Sequence, residues 1–352
     1  MKQFAGITAE RLDQLIAGFS QARIAVVGDF FLDKYLDVDP QLAEVSLETG
    51  KTAHQVIRIR HSPGAAGTVV CNLAALGAGC IFCVGIIGDD GEGYELRRDL
   101  ATLGCELTHL HSAEDRFTPT YLKPRDANDP TLAGEHSRYD TKNRQVLPSS
   151  WEAKVLQSLK QLLEGGVDAV IIADQVEEAN CGVITDKVRG CLADWSSAYP
   201  NTIFWADSRR RIREFRRVIT KPNYAEAMGE PPPEKPLSPQ WEKVERAILD
   251  LRARTQAPVC LTCGPWGTVV TDTEVVWIPG LEVEGPIDPT GAGDSATAGA
   301  VLALSSGGSL REAALVGNLV ASVTIQQLAT TGTASPEQLR ERLPRWLKQH
   351  RQ

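Results

Sequence analysis

The stretch Ile287-Asp288-Pro289-Thr290-Gly291-Ala292-Gly293-Asp294-Ser295 is the one around which the rest of the chain can be read. Before it, Glu274-Val-Val-Trp-Ile278 has the apolar character of a short strand, followed by a connection rich in Pro and Gly. After it, from about Ala292 to Leu304, Ala and Leu dominate and predict a helix. Two glycines at the mouth of a helix leave backbone N–H groups unpaired and uncovered by side chains. With the positive end of the helix dipole, those donors make an anion site. Asp294 would sit against any anion drawn there. It is accounted for if it takes a proton from a hydroxyl while the amides hold a phosphoryl group in transfer. The competing account is a capping Asp294 beside glycines that only permit a tight turn. Spacing alone does not separate the two.

Two other glycine readings compete and fail on context. Gly291-x-Gly293-x-x-Ala296 fits the dinucleotide fingerprint, but that motif needs strand, helix and strand in succession. Here a helix follows the helix. Gly50-Lys51-Thr52 resembles the end of a P-loop, yet Val45 stands where the earlier glycine is required, and no buried strand leads in.

The chain has 352 residues, enough for one large domain or one domain with a small appendage. A net charge of -8 gives no electrostatic footprint for nucleic acid or an anionic membrane. The basic run Ser208-Arg-Arg-Arg-Ile-Arg-Glu-Phe-Arg-Arg217 is the local exception. Set between acidic stretches, it is expected to be a solvated helix face with one member near a phosphate. No apolar run is long enough to span a bilayer, and the N-terminus lacks the apolar core of a signal peptide. A cytoplasmic protein is expected. Cys80/Cys83 and Cys260/Cys263 have Cys-x-x-Cys spacing, a zinc pattern, but both pairs fall in strand-like sequence. In a strand, residues i and i+3 point to opposite faces, which disfavours chelation.

Along the chain, residues 8–20 read as an amphipathic helix and Arg23–Asp29 as a buried strand that ends in Gly-Asp. Asp29 and Asp33 follow where strand ends present ligand contacts. Residues 35–60 and 116–140 look extended and polar, and pair in this reading as a small β-lid over a cleft. Between them, His61–Gly77 starts as a small-residue turn and becomes a helix, then Cys80–Gly88 is strand-like. Helices are expected at 151–164, 184–197 and 241–255, and strands at 167–174, 202–207, 217–223 and 258–263. Glu230–Pro236 reads as a proline-rich loop. Ser309-Leu-Arg-Glu312 is a capping box, and Ser335-Pro336-Glu337 opens the last helix. The alternation predicts an α/β/α sandwich around a mostly parallel sheet, a single domain over 1–352 with the lid inserted.

These residues together resemble the ribokinase-like (PfkB) carbohydrate kinase family. Asp288-Pro-Thr-Gly-Ala-Gly-Asp294 meets its Asp-x-x-Gly-Ala-Gly-Asp signature. Asn223-Tyr-Ala-Glu226 is similar to its Asn-x-x-Glu element, and Thr262-Cys-Gly-Pro-Trp-Gly267 to its Thr-x-Gly-x-x-Gly element. The likeness runs from about residue 20 nearly to the end. Within the family it is nearest to the kinase half of heptose 7-phosphate kinase/adenylyltransferases, through Val27–Tyr35, Val45–Glu48, Arg138-Tyr-Asp140 and Thr333–Pro336. The nucleotidyltransferase half is not expected here.

The resemblance implies an ATP- and Mg²⁺-dependent kinase acting on a sugar or sugar phosphate, dimeric through its lid. It implies Asp294 as base, with the amides of Gly291, Ala292 and Gly293 as anion hole. Asn223 and Glu226 would organise Mg²⁺ and its waters around the phosphates. Thr262, Gly264, Gly267 and Asn318 would lie near the nucleotide, and Asp288 and Thr290 beside a monovalent cation such as K⁺. Asp29, Asp33, Gly64 and Thr68 would meet the sugar, with Arg138 at the lid. Two departures bear on the acceptor. Where the family's sugar-binding turn reads Gly-Gly-x-x-Asn, this chain has Gly64-Ala-Ala-Gly-Thr68, and Asp174-Gln-Val-Glu-Glu lacks the glycine-containing loop of heptose kinases. A different substrate, or a kinase-like binder with little turnover, are the two consequences.

Overall fold

The computed structural model describes residues 1–129, 132–230, 238–328 and 330–350. The proline-rich segment expected as a loop falls largely outside them.

In chain order the elements are β1 (Lys2–Gln3), α1 (Ala9–Phe19), β2 (Arg23–Gly28), β3 (Phe30–Val45), β4 (Thr52–Ala65), α2 (Ala66–Ala75), β5 (Cys80–Gly88) and α3 (Gly91–Thr102). Then come β6 (Leu110–Ala113), β7 (Thr120–Asp126), β8 (Tyr139–Thr141), α4 (Ser149–Glu164), β9 (Ala169–Asp174), α5 (Asp186–Ala198), β10 (Ile203–Ser208), β11 (Ile219–Thr220) and α6 (Tyr224–Met228). The chain ends with α7 (Trp241–Thr255), β12 (Val259–Thr262), β13 (Thr268–Thr271), β14 (Val275–Ile278), α8 (Ala292–Ser305), α9 (Leu310–Thr324) and α10 (Pro336–His350).

The main sheet has the order β1-β14-β13-β12-β11-β10-β9-β2-β5-β6. It is parallel except where β13 pairs antiparallel with β12 and β14. Its central strands are apolar at successive positions because helices cover both faces. In β2, Ile24 and Val26 face one helical layer while Ala25 and Val27 face the other. The first layer brings α1, α2, α8, α9 and α10 together, and the second is built from α4 and α5. A third cluster seats α7 against β12 and β13 through Val244, Ile248 and Leu251. Thr8 caps α1, and the expected Ser309–Glu312 capping box is formed. This is the expected three-layer α/β/α arrangement.

A second sheet of four strands, β4-β3-β7-β8, stands apart from the first. Its strands begin earlier than the expected segment, because β3 leaves β2 after one residue and runs from Phe30. β3 and β4 form a long antiparallel hairpin with register breaks at Asp37/Val38 and Asp39/Glu44. The hairpin continues to Ala65, so Pro63-Gly64-Ala65 pair with Leu32, Phe31 and Phe30. The second sheet is therefore tied to the glycine turn through the strand itself.

The arginine run departs from its expected form. After β10 the chain makes a short 3₁₀ turn at Ile212–Glu214, and no solvated helix face forms. Arg211 is buried, with its guanidinium fastened to Asp174 at 2.6 Å. Arg210 pairs with Glu177 and Arg213 with Asp250. Local spacing could not register these partners, which come from β9, its following loop and α7.

Candidate active site

The carboxyl ends of the parallel strands converge on the N-terminus of α8. Gly291 is the N-cap with φ 76°, the left-handed region that favours glycine. No side chain caps this helix. Ser295 N–H donates to the Gly291 carbonyl and Ala292 N–H to Pro289 at 3.1 Å, so the Ala292 amide is already spent in the turn. Gly291 and Gly293 keep free amides among the described residues, as does Asp294 itself. Of the three amides expected to form an anion hole, those of Gly291 and Gly293 are thus free and that of Ala292 is not.

Asp294 occupies the first turn of α8 and is half-buried. Surrounding protein desolvates its carboxyl and Asp207 adds like charge. Together they push its pKa up to about 7, against the pull of Lys221 and Arg209. Lys221 is the residue that sequence reasoning missed. Its side chain is buried and its ammonium lies 2.7 Å from Asp207 Oδ2; burial alone would lower its pKa, but Asp207, Glu226 and Asp294 together raise it and keep it charged. A Cβ on Gly293 would come 3.3 Å from Lys221 Nζ, so the second glycine leaves room for the cation at the helix mouth. The overlooked signal was position. Lys221-Pro222 directly precedes Asn223-x-x-Glu226, and Asp207 lies at the carboxyl end of a central strand.

Asn223 and Glu226 form a closed capping box on α6. Asn223 N–H donates to Glu226 Oε2 at 2.7 Å, and Glu226 N–H to Asn223 Oδ1 at 2.9 Å. Burial and nearby Asp207 raise the Glu226 pKa to about 7. Asp207, Glu226 and Asp294 thus crowd negative charge around Lys221 and Arg209, an environment that a further cation would relieve. Among the described residues no three His, Cys, Asp or Glu side chains converge on one metal position. A Mg²⁺ ion here would take most of its oxygens from nucleotide phosphates and water, as that ion commonly does.

Thr262 ends β12 beside Asn223, its N–H donating to the Pro222 carbonyl at 2.9 Å. Gly267 has φ 88°, and a Cβ there would fall 2.3 Å from Gly280 N and Ile278 O, which only glycine avoids. Gly264 is exposed and unobstructed. Asn318 is committed to the fold. It accepts from Thr268 Oγ1 at 2.7 Å and donates to the Ile278 and Pro279 carbonyls. Asp288 is buried and accepts from Thr290 N–H at 3.0 Å, so these two meet in one turn.

Among the residues expected to meet the sugar, Asp33 binds Lys123 Nζ at 2.8 Å through Oδ1, leaving Oδ2 toward Gly64. A Cβ on Gly64 would lie 2.7 Å from that oxygen. Thr68 is buried in the first turn of α2, its methyl 3.2 Å from where a Gly291 Cβ would be. The α2 and α8 N-termini therefore face each other. Asp29 is used differently from its expected part. Its carboxylate accepts the amides of Gln175, Val176 and Val183, and so holds the loop after β9. Arg138 is paired with Asp140 at 2.7 Å and stacks over Tyr121 of the lid.

A carboxyl poised near neutrality, free amides and a buried ammonium meet at one helix mouth, and these are groups on which phosphoryl transfer to a hydroxyl can draw. The description pfkB family carbohydrate kinase matches residues 218–338 of the chain. Among curated proteins it is similar to Bifunctional protein HldE of Sulfurimonas denitrificans, 26% identical over 326 residues, covering 90% of this chain and 63% of that protein. HldE of Coxiella burnetii is 28% identical over 342 residues, covering 94% and 65%. The chain thus spans less than two thirds of the length of these relatives. Its fold is shared with ribokinase from Cryptococcus neoformans in complex with ADP (18% identity, TM-score 0.65, 91% and 99% covered). Phosphofructokinase-2 from Escherichia coli in complex with potassium shares it too (16%, TM-score 0.70, 93% and 99%). No helix among the described residues is long and apolar enough to cross a membrane.

Proposed function

We propose that the chain transfers the γ-phosphoryl group of ATP to a hydroxyl of a sugar or sugar phosphate. The observation that carries this reading is Asp294 at the mouth of α8, between free glycine amides and the Lys221 ammonium. Asp294 takes the hydroxyl proton as the oxygen attacks phosphorus. The Gly291 and Gly293 amides and Lys221 receive the negative charge that spreads over the phosphoryl oxygens. The carboxylate of Asp33, oriented by Lys123, holds the sugar on the opposite wall. Thr262, Gly264, Gly267 and Asn318 shape the nucleotide side. Glu226 and Asn223 face the Mg²⁺ waters, and bound Mg²⁺ would neutralise phosphate charge. Asp288 and Thr290 are the candidates for K⁺. Heptose 7-phosphate is the acceptor suggested by the sequence resemblance, and the four-stranded sheet acts as a lid that also joins two copies.

The exposed apolar residues Leu42, Val45, Leu47, Ile57 and Ile59 on the lid hairpin support that pairing. A second reading, a kinase-like binder with little turnover, draws support from Ala65 and Thr68, where the turn departs from the family pattern. ADP release with ATP and Mg²⁺ across a panel of sugars and sugar phosphates separates the two. Acceptor-dependent release supports the kinase, and tight sugar binding with no release for any acceptor supports the binder.

A further inference from the structure

Both Cys-x-x-Cys pairs are split by the strands that carry them. Ile81 and Cys83 of β5 face the helical layer of α1, α2 and α8, while Phe82 and Val84 face the other, so alternation turns Cys80 away from Cys83. Cys260 likewise joins the first layer and Cys263 the cluster under α7. Burial pushes both of these thiols up to about 12, which leaves them unreactive.

Cys83 meets a different thiol. The chain leaving α3 returns to β5 directly after Cys105, where Glu106 N–H donates to the Ile81 carbonyl at 2.8 Å and Cys83 N–H donates to the Glu106 carbonyl at 3.0 Å. These bonds make a parallel bridge between Phe82 and Glu106. Cys83 and Cys105 flank the bridge, and Cys105 packs against the cluster to which Cys83 belongs. Cys83 is fully buried, whereas Cys105 is partly exposed. Their sulfurs are in hydrogen-bond contact, with the Cys83 thiol donating. That donation holds Cys105 below the ordinary thiol range, while the same contact and burial hold Cys83 well above it. The pair therefore divides into an accessible thiol that ionises more readily and a hidden one behind it. Cys105 also closes the turn after α3, its N–H donating to the Leu100 carbonyl at 3.3 Å. α3 in turn holds the β3–β4 hairpin, through Glu92 to Lys34 at 2.9 Å and Asp99 to His61 Nδ1 at 2.6 Å.

We propose that Cys83 and Cys105 are a modification site for low-molecular-weight disulfides such as oxidised glutathione, which convert the pair to a reversible disulfide that fastens the end of α3 to β5. The site is separate from the phosphoryl-transfer centre and does not rest on the kinase reading. The Cys105 thiolate attacks one sulfur of glutathione disulfide, forming a mixed disulfide and releasing one glutathione thiolate. Cys83 then gives its proton to solvent and attacks Cys105 Sγ, and the new bond forms as the second glutathione thiolate leaves. Two protein thiols are oxidised, and one glutathione disulfide is reduced to two glutathiones. The test is to equilibrate the native, reduced protein with oxidised glutathione, quench with acid, alkylate, and map the peptides by mass spectrometry. The expected product is a Cys83–Cys105 cross-linked peptide, with the intact mass lower by two hydrogens and both thiols restored by dithiothreitol. Cys83→Ser should stop the reaction at a glutathione adduct on Cys105, and Cys105→Ser should leave Cys83 reduced. Cys71→Ser and Cys80→Ser should form the bond as the parent does. The cross-link is read in the unaltered protein, so a variant that fails to fold does not remove the test. A glutathione adduct that persists on Cys105 of the parent, a bond made instead by Cys71 or Cys80, or a protein that stays fully reduced would overturn the assignment.

Discussion

Ala65→Gly tests whether the glycine turn stores strain. Ala65 has φ 54° and ψ -117°, outside the left-handed helical region and close to the first central position of a type II′ turn. A side chain held in such a region costs about 1–3 kcal/mol. Replacement by glycine removes that cost and adds about 0.5–1 kcal/mol of backbone entropy to be lost on folding. The balance is a gain of about 0.5–2 kcal/mol. At roughly 2.1 cal/mol/K of unfolding entropy per residue, a chain of this size should gain about 1–3 °C in Tm. Differential scanning calorimetry with matched urea midpoints is the assay, and Ala65→Val, which crowds the same φ further, should lower both. A glycine variant no more stable than the parent would refute the strain argument. The strain lies between Gly64, which makes room for Asp33, and α2, whose first turn faces Gly291. Backbone strain of this kind concentrates where a ligand must be approached closely.

Other consequences follow from the charges around Lys221. Asp294 must be ionised to accept a proton, so kcat/KM should rise about tenfold per pH unit below about 7 and level off above it; a flat profile from pH 5 to 8 would contradict its role. Stability runs the other way. The folded Asp294 carboxyl binds its proton more tightly than the unfolded chain does, so its contribution is present below about pH 4 and is lost as pH rises toward 7. Asp294→Asn should accordingly raise Tm more at pH 8 than at pH 5, as urea melts at the two pH values would reveal. Lys221→Met should lower kcat by about 10²–10³ and move the rising limb to higher pH, because the charge holding Asp294 down is gone; an unshifted limb would separate the two groups. Gly64→Ala should raise KM for the acceptor about tenfold or more, with KM for ATP little changed, by driving Asp33 from its place.

Much of this arrangement is legible without coordinates. Alternating apolar runs and helix caps placed most of the longer elements within a few residues, because a cap such as Ser309 acts through near neighbours. The helix mouth at Gly291 was readable for the same reason. What stayed hidden depends on contacts across the fold. Asp29 looked like a ligand contact until Gln175, Val176 and Val183 claimed its oxygens. The Ala292 amide looked free until the turn closed on Pro289. Arg211 read as surface charge although Asp174, 37 residues earlier, buries it as an ion pair. Lys221 went unnoticed because a lone lysine at the end of a two-residue strand carries no periodic signal.

The central claim is that one carboxylate, Asp294, serves a hydroxyl at an anion-binding helix mouth. Its most direct test is sugar-dependent ADP release at pH 8, with ATP and Mg²⁺ in excess, by the parent protein and by Asp294→Asn. Asparagine keeps the shape and the free amides but cannot take the proton. Release by the parent with a loss of roughly a hundredfold or more in the variant, and nucleotide affinity kept within about threefold, is the predicted result. Near-parental release by Asp294→Asn would contradict the account.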